Sequence, residues 1–145
     1  MRYLCIDLGE KRTGLALGDD ATGIASPWFT IETRSPDERL RQLDQAVADE
    51  TPDELVVGLP LLGNGSEGPN AKKCRAFAET LAVRYQRTVH LADERLTSEV
   101  ADGQMSLTGL THEQKKARRD ALAAAAILSI FFEQGPVDTV APAGH

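Results

Sequence analysis

A chain of 145 residues is the length of one domain and can bury a real core. Its 41% hydrophobic and 26% charged content is that of a globular protein, and its net charge of −6 argues against a passive nucleic-acid coat, which would be basic. The longest strongly apolar stretch, Ala121 to Phe132, is too short to cross a bilayer. Met1-Arg2 leads straight into a strand with no signal-peptide cleavage site, so a cytoplasmic protein is expected. Cys5 and Cys74 fit reduced structural thiols better than a disulfide framework.

The first 34 residues read as three antiparallel strands. Tyr3 to Leu8 is almost wholly apolar, as in a central strand covered on both faces. Turns at Gly9 to Arg12 and Asp19 to Gly23 separate it from strands at Thr13 to Gly18 and Ile24 to Thr33. Pro27 puts the third strand at an edge or on a bulge, because proline cannot donate to a ladder.

Ser35-Pro36 starts a helix with Ser35 as N-cap and Glu38 at its third position, and Leu40, Leu43 and Val47 form its apolar stripe. Thr51-Pro52 ends it. A buried strand from Asp53 runs to Pro60, a glycine-rich loop spans Leu62 to Pro69, and a helix follows with Ala71, Phe77 and Leu81 inside. Thr88 to Leu91 reads as the last strand. The remainder is helical with a break near Gly103 to Thr111, and the long final helix ends at Gly135-Pro136. The expected architecture is α/β: a five-stranded mixed sheet, three antiparallel strands and then two parallel ones, with helices on both faces. It occupies residues 1–136, and 137–145 are expected to be a flexible tail.

Asp7 ends the first strand, where α/β sheets place their ligand crevice. A carboxylate at the end of a buried run implies a cationic partner, since desolvating a bare charge is expensive; the competing explanation is a turn cap. Gly9 and Gly14 allow close backbone beside it. Glu94 follows the last strand, and only one of Asp93 and Glu94 can face the site, because neighbouring strand residues point to opposite faces. Asp120, Ala124, Ile127 and Phe131 share one face of the final helix, which brings Asp120 to the sheet.

Three such acids suit Mg²⁺ or Mn²⁺. Two such ions about 3.5–4 Å apart activate a water and stabilise the leaving oxygen of a phosphodiester. Asp7, Glu94 and Asp120 are therefore the candidate catalytic and metal-binding residues. Lys11, Arg12, Ser66, Lys72, Arg75 and Arg95 are the candidate substrate contacts, with Ser66 equally placed to cap the helix after its loop. His90 and His112 have no second ligand at metal spacing and read as structural or surface residues.

Ile6-Asp7-Leu8-Gly9-Glu10-Lys11-Arg12-Thr13-Gly14, Val56-Val57-Gly58-Leu59-Pro60-Leu61, Gly65-Ser66-Glu67-Gly68-Pro69, Asp93-Glu94-Arg95-Leu96-Thr97 and Asp120 with Ala123-Ala124 and Ile127-Leu128 together resemble the YqgF (RuvX) family of pre-16S rRNA nucleases or Holliday junction resolvases. The resemblance spans residue 3 to about 133. It implies an RNase H-like fold and a metal-dependent nuclease that trims the 5′ end of precursor 16S rRNA during ribosome biogenesis. Asp7, Glu94 and Asp120 carry over as its acids. Leu62-Gly63-Asn64 departs from the family's usual Asn-Met-Asp before the Gly65-Ser66 turn.

The partners so implied are nucleic acid (precursor rRNA, or branched or single-stranded DNA) and ribosomal particles, with no membrane, for a monomer or weak homodimer. Three alternatives stay open. One is a resolvase of branched DNA. Another is a non-catalytic RNA-binding assembly factor, which would gain nothing from buried anions. The third is a nucleotide-binding phosphotransferase, which would need a second lobe.

Overall fold

The computed structural model describes residues 1–95 and 112–142, with residues 112–118 described by their backbone alone. In chain order the elements are β1 (Arg2–Asp7), β2 (Arg12–Asp19), β3 (Ile24–Glu32), α1 (Pro36–Glu50), β4 (Glu54–Leu59), α2 (Pro69–Tyr85), β5 (Val89–Asp93), α3 (His112–Gln134) and β6 (Asp138–Val140). The break expected near Gly103 to Thr111 lies outside the described residues.

One mixed sheet runs in the order β3-β2-β1-β4-β5-β6. The hairpins β1–β2 and β2–β3 are antiparallel, whereas β1, β4 and β5 are mutually parallel. β3 is an edge strand, and its register to β2 slips between Leu15 and Ala16, opposite Phe29 and Pro27. The missing proline donor is accommodated at that bulge, on an edge.

The side chains of β1 divide the core. Leu4 and Ile6 pack with Leu43, Val47, Ala78 and Leu81 under α1 and α2, while Tyr3 and Cys5 pack with Ala124, Ile127, Leu128 and Phe131 of α3 on the other face. This is the period-2 alternation of a strand buried on both sides. Cys5 and Cys74 are both free and buried. Among the described residues no helix is long and apolar enough to cross a membrane.

The caps of α1 follow from its local sequence. Ser35 Oγ accepts from the Glu38 amide at 3.2 Å, Pro36 opens the first turn, and Thr51 ends the helix in the left-handed region at φ 44°. Glu38 does not close a reciprocal capping box; its carboxylate binds Arg41 and Gln42 instead. The N-cap of α2 is Gly68, without a side-chain cap bond, so Ser66 does not cap it.

The strand count corrects the sequence expectation, which was five. The sixth strand, Asp138–Val140, falls where a flexible tail was expected and adds antiparallel to β5, with Val140 opposite Val89 and Thr139 opposite His90. Three residues carry too little hydrophobic pattern to announce a strand. Their stabilisation is non-local: Asp138 pairs with Arg75 at 2.5 Å, and Thr139 Oγ1 lies 3.0 Å from His90 Nδ1. The other ring nitrogen of His90 is 2.7 Å from Glu54 Oε1, a structural role.

Candidate active site

Asp7 is the last residue of β1 and lies opposite Gly14 of β2. Glu94 leaves β5 directly after Asp93, which aligns with Leu59 of the parallel neighbour β4. The two acids therefore reach the same carboxyl edge of the sheet, on the side covered by α3.

Two glycines make the approach feasible. A Cβ at Gly58, in the strand between β1 and β5, would overlap Glu94 Oε2, so the carboxyl of Glu94 folds into the space a side chain would take. A Cβ at Gly14 would overlap the backbone carbonyl of Asp120. At this point α3 touches the sheet through its main chain, and its small buried residues Ala121, Ala124 and Ala125 continue the close contact. Asp120 is set down next to Asp7 as a consequence.

The electrostatics match that placement. Burial pushes the Asp7 carboxyl above its ordinary range, and the charge of Asp120 pushes it further, while a hydrogen bond with Glu94 opposes the rise. Glu94 is pushed up more, by burial, by the charge of Asp7 and by that same hydrogen bond. Burial thus raises both carboxyls, and the touching pair favours holding a proton between them over being doubly charged. Asp120 is also raised, first by burial, against the opposing charges of Arg12 and Arg119. Among the described residues no three His, Cys, Asp or Glu side chains converge tightly enough to form a complete ligand set. Asp7 and Glu94 touch, and Asp120 acts on Asp7 through its charge. These are hard oxygen donors in a partly desolvated cleft, a chemistry that fits a hard divalent cation.

Of the adjacent pair, Glu94 meets Asp7, whereas Asp93 accepts from both the backbone and the guanidinium of Arg95, the latter at 2.6 Å. The basic candidates separate as well. Arg12 is half-buried between Glu32, at 3.9 Å, and Asp120, whose carboxylate it stabilises; Lys11 is exposed on the turn after Asp7. Arg75 is held by Glu67 at 2.8 Å and by Asp138, and Arg95 is held by Asp93, so neither guanidinium stands ready for a phosphate. Ser66 bonds Asn64 at 2.6 Å in an exposed loop, and Lys72 is exposed at the start of α2.

Two supporting residues escaped the sequence reading. The sequence around Gly58 shows only a strand. Arg39 sits among the apolar positions of α1, yet it is 8% exposed and binds the turn that follows Asp7. Its Nε donates to Thr13 Oγ1 at 3.0 Å, and its Nη2 donates to the carbonyls of Gly9, Glu10 and Thr33.

A family model described as "RuvX: Holliday junction resolvase" matches residues 1–134. The chain belongs to the RuvX family. A RuvX relative from Thiobacillus denitrificans, named "Putative pre-16S rRNA nuclease", is 42% identical over 130 residues, which is 90% of each chain. Among solved structures, T. thermophilus RuvC in complex with a Holliday junction substrate aligns over 97% of this chain and 99% of that one, with a TM-score of 0.56 at 16% identity. The Fowlpox virus resolvase in complex with Holliday junction DNA aligns over 92% and 97%, with a TM-score of 0.59 at 12% identity. At such identities the likeness is one of fold, and it is the RNase H-like fold that the family resemblance implies.

Proposed function

We propose that this RuvX chain is a metal-dependent nuclease that hydrolyses phosphodiester bonds of precursor 16S rRNA at its 5′ end. The contact between Asp7 and Glu94 at the carboxyl edge, with Asp120 brought within electrostatic reach of Asp7 by α3, carries the reading. A pure binding module has no use for two touching carboxyls that share a proton. The names of the curated relatives support rRNA as the substrate.

Asp7, Glu94 and Asp120 would hold the metal. A bound divalent pair supplies a nucleophilic water at neutral pH and charge stabilisation for the leaving oxygen. The chain's own residues orient the reaction. Asp7 and Glu94 already lie in contact, so two of the three acids would come to the metal from one place on the sheet edge. The pair gives up the shared proton on metal binding, which makes loading pH-dependent. Arg12 lies beside Asp120 and, with Lys11 on the adjoining turn, is placed to hold the phosphate of the attacked strand. We place this activity in the cytoplasm, on precursor rRNA or on ribosomal particles that carry it.

A second reading, resolution of branched DNA, is favoured by the fold shared with two proteins solved on Holliday junctions. Cleavage of a precursor rRNA 5′ leader and of a four-way DNA junction, run in parallel with Mg²⁺ and Mn²⁺, decides between them. Preferential cleavage of the leader is expected. Exclusive cleavage of the junction would transfer the assignment to DNA, and cleavage of neither would leave a non-catalytic binder.

A further inference from the structure

A cleft of about 570 Å³ opens on the α1/α2 side of the same sheet edge, between the β1–β2 turn, the start of α1 and the first turns of α2. Glu94 borders it, so the cleft adjoins the acid pair. Its cations are Arg34, Arg39 and Lys73. Arg39 is the fixed one. Its four hydrogen bonds go to a hydroxyl and three carbonyls, all neutral, so its charge has no carboxylate to offset it. Its Nη1 makes none of these bonds. Arg39 itself lines the cleft, so its charge is felt there. A buried, formally uncompensated guanidinium at the back of a cleft is a standing attraction for an anion.

The other two cations are exposed at the mouth. Lys73 forms no ion pair with any described residue. Arg34 meets Glu10 at 3.5 Å in a pair that is 66% and 87% exposed, so a competing phosphate displaces that contact at little cost. The acids at the cleft are Glu10 and Glu94, and Glu94 belongs to the metal-binding set.

We propose that this cleft is a second substrate subsite, taking the phosphate and sugar of a nucleotide next to the cleaved bond. Arg34 and Lys73 grip the phosphate, and Arg39 supplies the fixed charge behind it. The inference rests on the nuclease reading of the Asp7–Glu94 site and extends it. From α2 the subsite takes Lys73, which lines the cleft, and not Arg75, which is committed to Glu67 and Asp138.

The test measures binding of a labelled single-stranded RNA by fluorescence anisotropy across a salt series, with every variant made in an Asp7→Asn background. Lys73→Ala and Arg34→Ala remove exposed side chains and leave the fold intact. Each should raise Kd about tenfold, the loss of one charge-assisted contact. Each should also flatten the slope of log K against log salt by about 0.7. Arg41→Ala, an exposed charge outside the cleft, should change neither quantity. Unaltered binding by the Lys73→Ala/Arg34→Ala double variant overturns the subsite, as does an equal loss with Arg41→Ala or a failure of the Asp7→Asn chain to bind RNA. Cleavage by the unsubstituted chain is scored separately. Intact cleavage with unaltered binding in the double variant removes the subsite alone. Absent cleavage with the cation effects present removes the nuclease reading alone.

Discussion

The carboxyl of Glu94 occupies the volume that a side chain on Gly58 would fill, so a residue with no side chain determines where an acid can go. Gly58→Ala should expel Glu94 from Asp7 and press on Ile127, whose Cδ1 borders the same space. Overpacking of this kind costs about 1–3 kcal/mol in denaturant unfolding. Cleavage should fall by about a hundredfold or more, because a 1 Å misplacement of a reacting group is enough for that. A Gly58→Ala variant with normal activity would show that Glu94 does not need this position.

Gly14 does for the backbone of α3 what Gly58 does for a side chain. Gly14→Ala meets the Asp120 carbonyl, which cannot rotate away, so the helix itself must move. A loss of about 2–4 kcal/mol is expected, at the upper end of overpacking costs. Thermal unfolding monitored by circular dichroism measures it, and an unchanged Tm would contradict the close helix–sheet contact.

The acid pair should make the metal-free protein less stable as pH rises. The folded-state pKa values of Asp7 and Glu94 lie above those of the unfolded chain, at about 6 and about 8. The unfolded state therefore releases these protons first, and the stability present below about pH 4 is lost between there and about pH 8. Asp7→Asn removes the repulsion and should stabilise the metal-free chain at pH 8 by about 1–2 kcal/mol. Mg²⁺ or Mn²⁺ should stabilise the unsubstituted chain at pH 8 more than at pH 5, because binding displaces the shared proton. Urea titrations at the two pH values, with and without metal, check both signs.

Arg39 holds the turn after Asp7 with bonds that no other side chain can make at once. Arg39→Met fills similar volume but removes the donor shared by Thr13 Oγ1 and the carbonyls of Gly9, Glu10 and Thr33, leaving Thr13 only its 3.5 Å bond to the Gly9 carbonyl, for a loss of about 2–4 kcal/mol. Hydrogen exchange should show the amides of the 8–12 turn opening more readily than those of β4. Uniform exchange would mean that the turn is held by its own backbone.

Much of this fold was legible because its signals are local. Ser35 and Pro36 specify a helix start within four residues, and Pro27 specifies an edge or bulge through a donor it lacks. The phase of Asp120 with Ala124, Ile127 and Phe131 follows from helical geometry, and the last three are indeed buried. What escaped depends on contacts between distant segments. β6 exists because β5 offers an open edge and Arg75 a partner for Asp138, neither visible in three residues. Arg39 looks like a surface arginine until the β1–β2 turn is folded beneath it. Gly58 matters through the space it leaves for a residue 36 positions later, which no local pattern encodes.

On the proposed reading, Asp7 and Glu94 act together to hold the metal needed for strand cleavage. The most direct measurement is the rate of precursor rRNA leader cleavage by Asp7→Asn beside the unsubstituted chain, with saturating Mg²⁺ or Mn²⁺ and matched circular dichroism spectra. Asp7→Asn should lose more than about 10³-fold in kcat with the fold preserved. Cleavage at the unsubstituted rate by a folded Asp7→Asn protein would contradict it.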